Sequence, residues 1–376
     1  MPNDVVALLQ ELIRIPSVNP DNAPGTDKTG EATMAEYVRT YLEQLGYTVT
    51  LTEIQPGRPN LIARAPGAED RPRILLGPHL DTVGVHGMTV DPFAAELRDG
   101  KIYGRGASDT KGPMAAMLQA LKNCQSLIEA HPIAVDFVGF MGEESNQWGS
   151  KHFAQHHSEE YAFALVGEPT SLDIVHTTKG SLWATLQTSG KAAHSSQPEL
   201  GENAILKLTS SLDRMNRKLT ARLASYTHPV LGHSTLNIGV IRGGSRPNIV
   251  PDSASAEIDI RLTPSLHTDG GALALLENFI LENNLPLEVV DPHENPPMEV
   301  DTDHLWIQKM IAANPHSKPV GAPWFSDAAH LNAAGIPSVC IGPGSIDQAH
   351  TKDEFIDITD LENGVIYFEK LIRALG

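Results

Sequence analysis

The chain has few cysteines and comparatively few basic residues. Its 376 residues include two cysteines, Cys124 and Cys340, which cannot make a zinc ribbon and need not form a disulfide. Lys and Arg number 28 against 46 Asp and Glu, giving a formal net charge of −18, so nucleic acid and anionic membranes are poor partners. No apolar run approaches the ~18 residues of a membrane span, and residues 1–6 lack the basic segment of a signal peptide. We therefore expect a cytoplasmic protein.

The first half of the chain alternates helical and strand patterns. Helical periodicity covers residues 5–13 and 31–45, and a third helix is predicted to open at Pro113. Apolar strand patterns occur at residues 48–52, 60–65, 73–76, 135–140 and 162–166. Strands that are apolar throughout and alternate with helices indicate a mainly parallel sheet covered on both faces.

The pattern changes after residue 179. Strand, helix, strand, strand, helix and strand follow in that order, at residues 181–189, 203–223, 234–241, 254–262, 270–281 and 287–290. This βαββαβ order predicts a ferredoxin-like α+β domain. Helix–strand alternation returns after Pro297. We therefore expect an α/β domain, residues 1–179 and 292–376, interrupted by an inserted domain, residues 180–291.

Ionisable side chains follow the strands of the α/β domain. His79 and Asp81 come just after the apolar run that ends at Leu76. On an extended backbone, residues two apart point to the same side, so Asp81 can orient an imidazole that binds metal. Asp109 lies in the glycine-rich segment GRGASDTKG, residues 104–112, where it is either a ligand or the N-cap of the following helix.

Further ionisable residues follow three other apolar runs. Glu143 and Glu144 come after the strand at residues 135–140, and neighbours on an extended chain face opposite ways, so one can bind metal while the other acts as a general base. Glu168 and His350 follow two more runs. Each residue alone also fits a solvated loop. Because open α/β sheets bind ligands at the carboxyl ends of their strands, their joint occurrence favours one site.

The candidate ligands are two imidazoles and three carboxylates: His79, Asp109, Glu144, Glu168 and His350. One catalytic zinc takes three protein ligands and a water. Five ligands suit two divalent ions ~3.5–4 Å apart that share a carboxylate. We expect zinc, and mixed nitrogen and oxygen ligands are also compatible with cobalt or manganese.

Five segments carry a resemblance to a known family. They are GPHLDTV (77–83), GRGASDTKG (104–112), MGEES (141–145), VGEPT (166–170) and GSIDQAHTKDEF (344–355). In this order the chain resembles the M20 metallopeptidase/deacylase family, and the segments span nearly its whole length. The resemblance implies a dinuclear-metal catalytic domain whose inserted domain is a lid or dimerisation domain, and hence a homodimer.

The resemblance also implies a role for each candidate residue. Asp109 would bridge the two metal ions. The other ligands would form two pairs, His79 with Glu168 and Glu144 with His350. Asp81 would orient the first imidazole, and Glu143 would be the general acid/base. The peptide bond between residues 109 and 110 would be cis.

Two segments of the inserted domain resemble parts of the family's lid. His194 lies in residues 190–196, which resemble the lid segment that reaches the partner's active site and stabilises an oxyanion. Asn248 lies in residues 243–251, which resemble the lid's substrate loop. Both residues are therefore assigned to the substrate or its transition state.

Arg261 and Gly344 complete the expected substrate site. Arg261 stands where relatives bind the α-carboxylate of the substrate. The alternative for this arginine is a surface ion pair with Asp259 or Glu257. Gly344 lies at the start of the segment that leads to the last candidate ligand.

The resemblance implies a hydrolase that cleaves the amide bond of an N-acyl L-amino acid, by attack of a metal-bridging water with Glu143 as general base. Segments 167–172 and 342–350 look closest to acetylornithine deacetylase, whereas residues 324–328 look more like the general family pattern. Two alternatives stay open: an exopeptidase that uses two zinc ions on short peptides, and a non-catalytic metal-dependent binding protein. A binding protein would need neither Glu143 nor Asp81.

Overall fold

The computed structural model describes residues 4–67 and 70–375, which form two compact units. The larger unit contains the chain up to His176, Val300–Val320 and the chain from Ser326 onward; the smaller contains Thr177–Glu299 and Gly321–Phe325. Residues 1–3, on which the expectation about a signal peptide partly rests, lie outside the described residues. None of the helices in the described ranges has the length and apolarity needed to cross a bilayer.

The helices and strands have the following bounds. The helices are α1 (Asp4–Arg14), α2 (Ala32–Gln44), α3 (Lys111–Asn123), α4 (Gln125–Ala130), α5 (Trp148–His157), α6 (Ala204–Arg214), α7 (Thr220–Leu223), α8 (Pro264–Thr268), α9 (Gly271–Glu282), α10 (Leu305–Ala313), α11 (Ala328–Ala333) and α12 (Ile358–Ala374). The strands are β1 (Thr48–Gln55), β2 (Arg58–Arg64), β3 (Arg73–Pro78), β4 (Glu96–Arg98), β5 (Lys101–Tyr103), β6 (Ala134–Gly139), β7 (Tyr161–Gly167), β8 (Ile174–Thr178), β9 (Gly180–Ser189), β10 (Thr227–His228), β11 (Gly232–His233), β12 (Thr235–Gly243), β13 (Ser253–Leu262), β14 (Glu288–Asn295), β15 (Met298–Glu299), β16 (Pro319–Ala322), β17 (Ser338–Ile341) and β18 (Phe355–Asp357).

The main sheet of the larger unit has the strand order β1-β2-β6-β3-β7-β17-β8. Its central strands β6, β3, β7 and β17 are parallel to one another, whereas β1, β2 and β8 join antiparallel. Every residue of β6 is buried, as expected for a strand covered by helices on both faces. The predicted mainly parallel α/β sheet is therefore confirmed.

Helix α3 lies in the core of the larger unit. All residues from Lys111 to Leu121 are buried, which is typical of a helix that packs on every side. The prediction that this helix opens at Pro113 is wrong, because it already begins at Lys111. Proline is tolerated there because the first N–H groups of a helix have no intrahelical partner.

The smaller unit contains a four-stranded antiparallel sheet in the order β12-β13-β9-β14. Its elements follow the chain as β9, α6, β12, β13, α9 and β14, and the predicted ferredoxin-like arrangement is confirmed. Residues of β13 alternate between buried and more exposed, and Ile258 packs in one cluster with Leu208 of α6 and Leu276 of α9. One face of this sheet is thus covered by its two helices.

Strand β14 is longer than the sequence pattern indicated. The alternation predicts a strand over residues 287–290, but the pairing with β9 continues to Asn295. A register shift separates Val290 from His293, and Asp291 has a positive φ of 47°. This bulge interrupts the alternation of side chains between the two faces of the sheet. The sequence pattern therefore does not reveal the second half of the strand. The smaller unit accordingly runs on past residue 291 to Glu299.

Candidate metal centre

The predicted ligands follow the carboxyl ends of parallel strands. His79 comes directly after β3, and Glu168 directly after β7. Glu144 follows β6, and His350 lies in the segment after β17. Because these four strands are parallel neighbours, their carboxyl ends share one edge of the sheet, where α/β folds bind ligands.

Asp109 lies between the two imidazoles. Its Oδ1 is 3.0 Å from Nε2 of His79, and its Oδ2 is 3.4 Å from Nε2 of His350. Burial alone would raise the pKa of Asp109, but the hydrogen bonds with His350 and His79 outweigh it and hold this pKa well below its usual range. A carboxylate with one oxygen toward each imidazole can bridge two cations. The Asp109–Thr110 peptide bond is cis.

Glu144 completes a tight cluster of donors. Its Oε2 is 3.1 Å from Nε2 of His350, and its Oε1 accepts the backbone N–H of Val83 at 3.2 Å. Burial and the charge of Asp109 raise the pKa of Glu144 to about 7, and contact with Asp109 and Glu144 raises the pKa of His350 to about 10. One ligand atom each of His79, Asp109 and Glu144 lies within 4.8 Å of the others.

Glu168 is buried without a complete set of partners. The residue is 5% exposed, and its Oε1 has no hydrogen-bond partner among residues 4–67 and 70–375. Burial, then the negative charge of Asp109 and those of Asp327 and Glu144, raise the pKa of Glu168 well above its usual range. A buried carboxylate oxygen with no partner is costly unless a cation or proton satisfies it.

The donor set fits divalent metal ions. Imidazole nitrogens and carboxylate oxygens are the ligands that zinc, cobalt and manganese share. The negative charges of Asp109 and Glu144 help to raise the pKa of Glu168, and added positive charge would relieve that repulsion. The residues present therefore suit the metals that the sequence predicts.

Asp81 connects one imidazole to the segment that carries both glutamates. Its Oδ1 is 3.4 Å from Nδ1 of His79, and its backbone carbonyl oxygen is 3.0 Å from the same nitrogen. The Asp81 carboxylate also accepts the backbone N–H groups of Glu143 and Glu144, each at 3.1 Å. Burial would raise the pKa of Asp81, but the hydrogen bond and charge of His79 outweigh it and lower this pKa.

Glu143 lies next to the predicted ligands, and its surroundings favour the protonated form of its carboxyl group. Burial, and next the negative charge of Glu168, raise its pKa well above the usual range, and the charge of His79 opposes them. The structure therefore supplies a carboxylate with a strong proton affinity next to the ligand cluster. Such a group can act as a general base.

Two residues near the cluster were not predicted from the sequence. Asn19 donates its side-chain N–H to Oδ2 of Asp81 at 2.8 Å. Asp327 is fully buried, accepts the hydroxyl of Ser150, and has an Oδ2 without a partner in the described part of the chain. Burial raises the pKa of Asp327 to about 7. Neither residue follows one of the apolar strands predicted from the sequence. Their positions in the sequence therefore do not mark them as candidate site residues.

Most of the chain matches a known protein family. Residues 75–374 match the model of the family described as Peptidase family M20/M25/M40. The chain belongs to this family. It is 32% identical over 378 residues to an acetylornithine deacetylase of Proteus mirabilis (strain HI4320), covering 95% of this chain and 93% of that protein.

Solved structures share the fold of this M20 protein. An M20 family metallo-carboxypeptidase from Sulfolobus solfataricus has a TM-score of 0.80 at 20% identity, covering 98% of both chains. A dinuclear metal-binding peptidase of the same family from Bacillus subtilis has a TM-score of 0.69 at 15% identity, covering 99% of this chain and 97% of that one. Family membership and the ligand cluster together make this M20 protein a hydrolase that uses divalent metal ions.

Gly344, predicted to bind substrate, packs against the segment of Asp109 in this M20 protein. Its φ is +86°, and a Cβ there would lie 2.6 Å from Oγ of Ser108. Its carbonyl oxygen accepts the backbone N–H of Ser171 at 2.7 Å. Both the left-handed backbone and the close contact require glycine at this position.

The predicted lid residues lie in the smaller unit. His194 is exposed, and its Nδ1 is 2.8 Å from Oγ of Ser196. Asn248 is also exposed, and its carbonyl oxygen accepts the backbone N–H of Ser195 at 3.1 Å. The segments that carry His194 and Asn248 are thus hydrogen-bonded to each other.

Arg261 is paired within the smaller unit. Its Nη2 lies 3.0 Å and its Nε 3.1 Å from Oδ2 of Asp259. This is the ion pair that the sequence left open as the alternative to substrate binding. The side chain of Arg261 is 29% exposed, so its guanidinium group is accessible to a carboxylate in solution.

Proposed function

We propose that this M20 hydrolase cleaves the amide bond of an N-acyl L-amino acid and releases the carboxylic acid and the free amine. The observation that carries the proposal is the Asp109 carboxylate, which directs one oxygen to His79 and the other to His350. The 32% identity to an acetylornithine deacetylase over 95% of the chain supports the deacylase reaction.

The ligands would divide around Asp109 as the bridging residue, with His79 and Glu168 at one ion and Glu144 and His350 at the other. Zinc is the metal we propose, with cobalt as the alternative that the same donors accept. The ions, when bound, supply Lewis acidity, which makes water a stronger acid and polarises the amide carbonyl.

Glu143 would move the proton in this reaction. Its strong proton affinity, caused by burial and by the charge of Glu168, suits a base that takes a proton from the attacking water. The same carboxyl group would then give that proton to the departing amine nitrogen. The hydrogen bond from its backbone N–H to Asp81 holds the segment of Glu143 in place, which such a transfer requires.

Four residues would contact the substrate or its transition state. Arg261 would exchange Asp259 for the α-carboxylate of the substrate, and Asn248 and Gly344 would contribute polar contacts. His194 would stabilise the oxyanion of the tetrahedral intermediate. The exposure of His194 and Asn248 supports these roles, since both side chains are accessible to a ligand.

We also propose a homodimer formed through the smaller unit. Strand β12 is an outer strand of its sheet, and edge strands offer backbone groups for pairing with a second chain. Ile241 on β12 is 55% exposed, which supports an apolar contact there.

We also propose a cytoplasmic location, which is supported by the two cysteines, Cys124 and Cys340. Both are buried and unpaired.

An exopeptidase is the alternative reaction for the same site. The segment Trp324–Ala328 departs from the acetylornithine deacetylase pattern, and it brings the buried carboxylate of Asp327 near Glu143, whose pKa its charge helps to raise. Peptides and acyl amino acids both present an amide next to a carboxylate. The two functions therefore differ in the pocket for the acyl side rather than in the chemistry.

The experiment is amine release from N-acetyl amino acids, N-succinyl amino acids and dipeptides, using metal-stripped protein reloaded with zinc or cobalt. Metal-dependent turnover of N-acetyl substrates such as N-acetylornithine is the expected result. Turnover of dipeptides alone would replace the proposal by an exopeptidase. No turnover by protein with bound metal would favour a binding protein.

A further inference from the structure

Glu354 is a buried carboxylate that accepts hydrogen bonds from the segment containing Asp109. The residue is 0% exposed and immediately precedes β18, which pairs with β5. Its Oε1 accepts the backbone N–H of Ser108 at 2.8 Å and that of Asp109 itself at 3.0 Å. Its Oε2 accepts the backbone N–H of Gly106 at 3.0 Å and Nη1 of Arg105 at 2.7 Å.

These four bonds account for both oxygens of Glu354. Each oxygen accepts two N–H groups, and all four donors come from the stretch between β5 and α3. The backbone carbonyl of Glu354 also accepts the N–H of Gly104 at 3.0 Å. The stretch is buried from Gly104 to Asp109, so water cannot replace Glu354 as acceptor for its N–H groups.

We propose that Glu354 is the positioning residue for Asp109: by accepting the N–H groups of Ser108 and Asp109, it sets the direction in which the Asp109 carboxylate points. The inference rests on the proposed function, in which Asp109 bridges the metal ions. Glu354 has no role in proton transfer here and acts on the metals only through Asp109.

The charge and shape of Glu354 are both required by this arrangement. In Glu354→Gln, one oxygen becomes an NH2 group, which must face two N–H donors whichever way the amide turns. One orientation opposes Arg105 and Gly106, and the other opposes Ser108 and Asp109. Glu354→Asp keeps both acceptor oxygens but shortens their reach, so it should retain more of the function.

The test measures cobalt binding to the full-length metal-stripped protein by its visible absorption. We expect Glu354→Gln to bind cobalt about 10- to 100-fold more weakly, the effect usual for residues that orient metal ligands. The absorption bands of the bound cobalt should shift, because a displaced Asp109 changes the coordination geometry. Glu354→Asp should lie between wild type and Glu354→Gln in both measurements.

Asp136 provides a matched control. It is also 0% exposed and accepts a backbone N–H, from Ala65 at 2.8 Å, and guanidinium N–H groups from Arg64 and Arg73. It lies in β6 (Ala134–Gly139), three positions before the carboxyl end of that strand, so Asp136→Asn disrupts a similar buried network away from the ligands. We expect Asp136→Asn to lower the melting temperature while leaving cobalt affinity and spectrum unchanged.

The outcomes separate the role of Glu354 from the function itself. Wild-type affinity and an unshifted spectrum in Glu354→Gln would overturn the positioning role and leave the proposed function standing. An equal loss of cobalt affinity in Asp136→Asn would also overturn it, because general destabilisation would then explain the effect. Absence of cobalt and zinc binding by the wild type would overturn the proposed function and this inference together. If Glu354→Gln does not fold, Glu354→Asp against Asp136→Asn decides the same question.

Discussion

The carboxylate of Asp81 accepts the backbone N–H of Glu143 at 3.1 Å. The same carboxylate lies 3.4 Å from Nδ1 of His79, so one side chain contacts both a proposed metal ligand and the segment of the proposed base. Asn19 holds the other oxygen of Asp81 at 2.8 Å. The proposed metal ligand and the proposed base are thus connected through a single buried carboxylate.

Replacing Asp81 should therefore damage two properties at once. Asp81→Asn must place an NH2 group against the N–H of Glu143 or of Glu144, and it weakens the orientation of His79. We expect metal affinity to fall about 10- to 100-fold, with a loss of turnover that excess metal does not restore. Isothermal titration with zinc and steady-state assays check both parts.

Asn19→Ala is the matched control for Asp81. It removes one hydrogen bond to the same carboxylate and leaves the contacts with His79 and Glu143 in place. Its effect on metal affinity should be clearly smaller than that of Asp81→Asn. Wild-type affinity in Asp81→Asn would show that this carboxylate does not orient His79.

The adjacent glutamates should respond differently to the same substitution. Glu143→Gln removes the proposed base but no ligand, so the protein should keep its full metal content and lose at least ~10²-fold in turnover. Glu144→Gln removes an oxygen that lies 3.1 Å from His350, so metal content should fall. Metal analysis of the purified variants and amine-release assays distinguish them. Near-full activity of Glu143→Gln would exclude its role as the base.

Stabilisation by metal should increase with pH. The pKa of Glu144 is raised from 4.5 to about 7 by burial and the charge of Asp109, and that of His350 from 6.5 to about 10 by Asp109 and Glu144. The folded metal-free protein therefore holds more protons than the unfolded chain between these values. Its stability falls as pH rises through them.

In the proposed site, metal ions would compete with those protons for Glu144 and His350, so bound metal would replace the lost stabilisation at higher pH. The gain in melting temperature on adding excess zinc should be larger near about pH 8 than near about pH 5.5. Glu144→Gln should reduce this pH dependence, because one of the two groups no longer titrates. An equal zinc-induced gain at both pH values would contradict the coupling.

Arg261 and Asp259 offer a test of substrate binding. If Arg261 binds the substrate carboxylate, Arg261→Gln should raise KM about 10- to 100-fold, the scale of ~1.5–3 kcal/mol for a charge-assisted hydrogen bond. Asp259→Asn removes the competing ion pair and should leave KM equal or lower. Steady-state kinetics measure both. An unchanged KM in Arg261→Gln would assign the arginine to the ion pair alone.

Much of the fold and the ligand cluster followed from position in the sequence. His79, Glu144 and Glu168 stand just past apolar strands, and parallel strands direct their carboxyl ends to one edge. The C-terminal helix α12 was not predicted, although it carried a signal: its buried Leu361, Val365, Phe368 and Leu371 have helical spacing.

Buried residues that surround the predicted ligands could not be predicted from the sequence in the same way. Glu354 meets Asp109 across 245 positions of the chain, and a glutamate in a polar segment has no pattern that marks it as buried. Asp327, which immediately precedes α11, is buried for the same tertiary reason and accepts the hydroxyl of Ser150 in α5. Such contacts depend on how distant segments pack, which local periodicity does not encode.

The most direct test of the account is titration of the metal-stripped protein with zinc while amine release from an N-acetyl amino acid is followed. We expect turnover to rise until about two zinc ions are bound per chain, as a site with a bridging carboxylate requires, and Asp109→Asn to abolish both binding and turnover. Full turnover with a single ion, or full turnover in Asp109→Asn, would contradict the central claim.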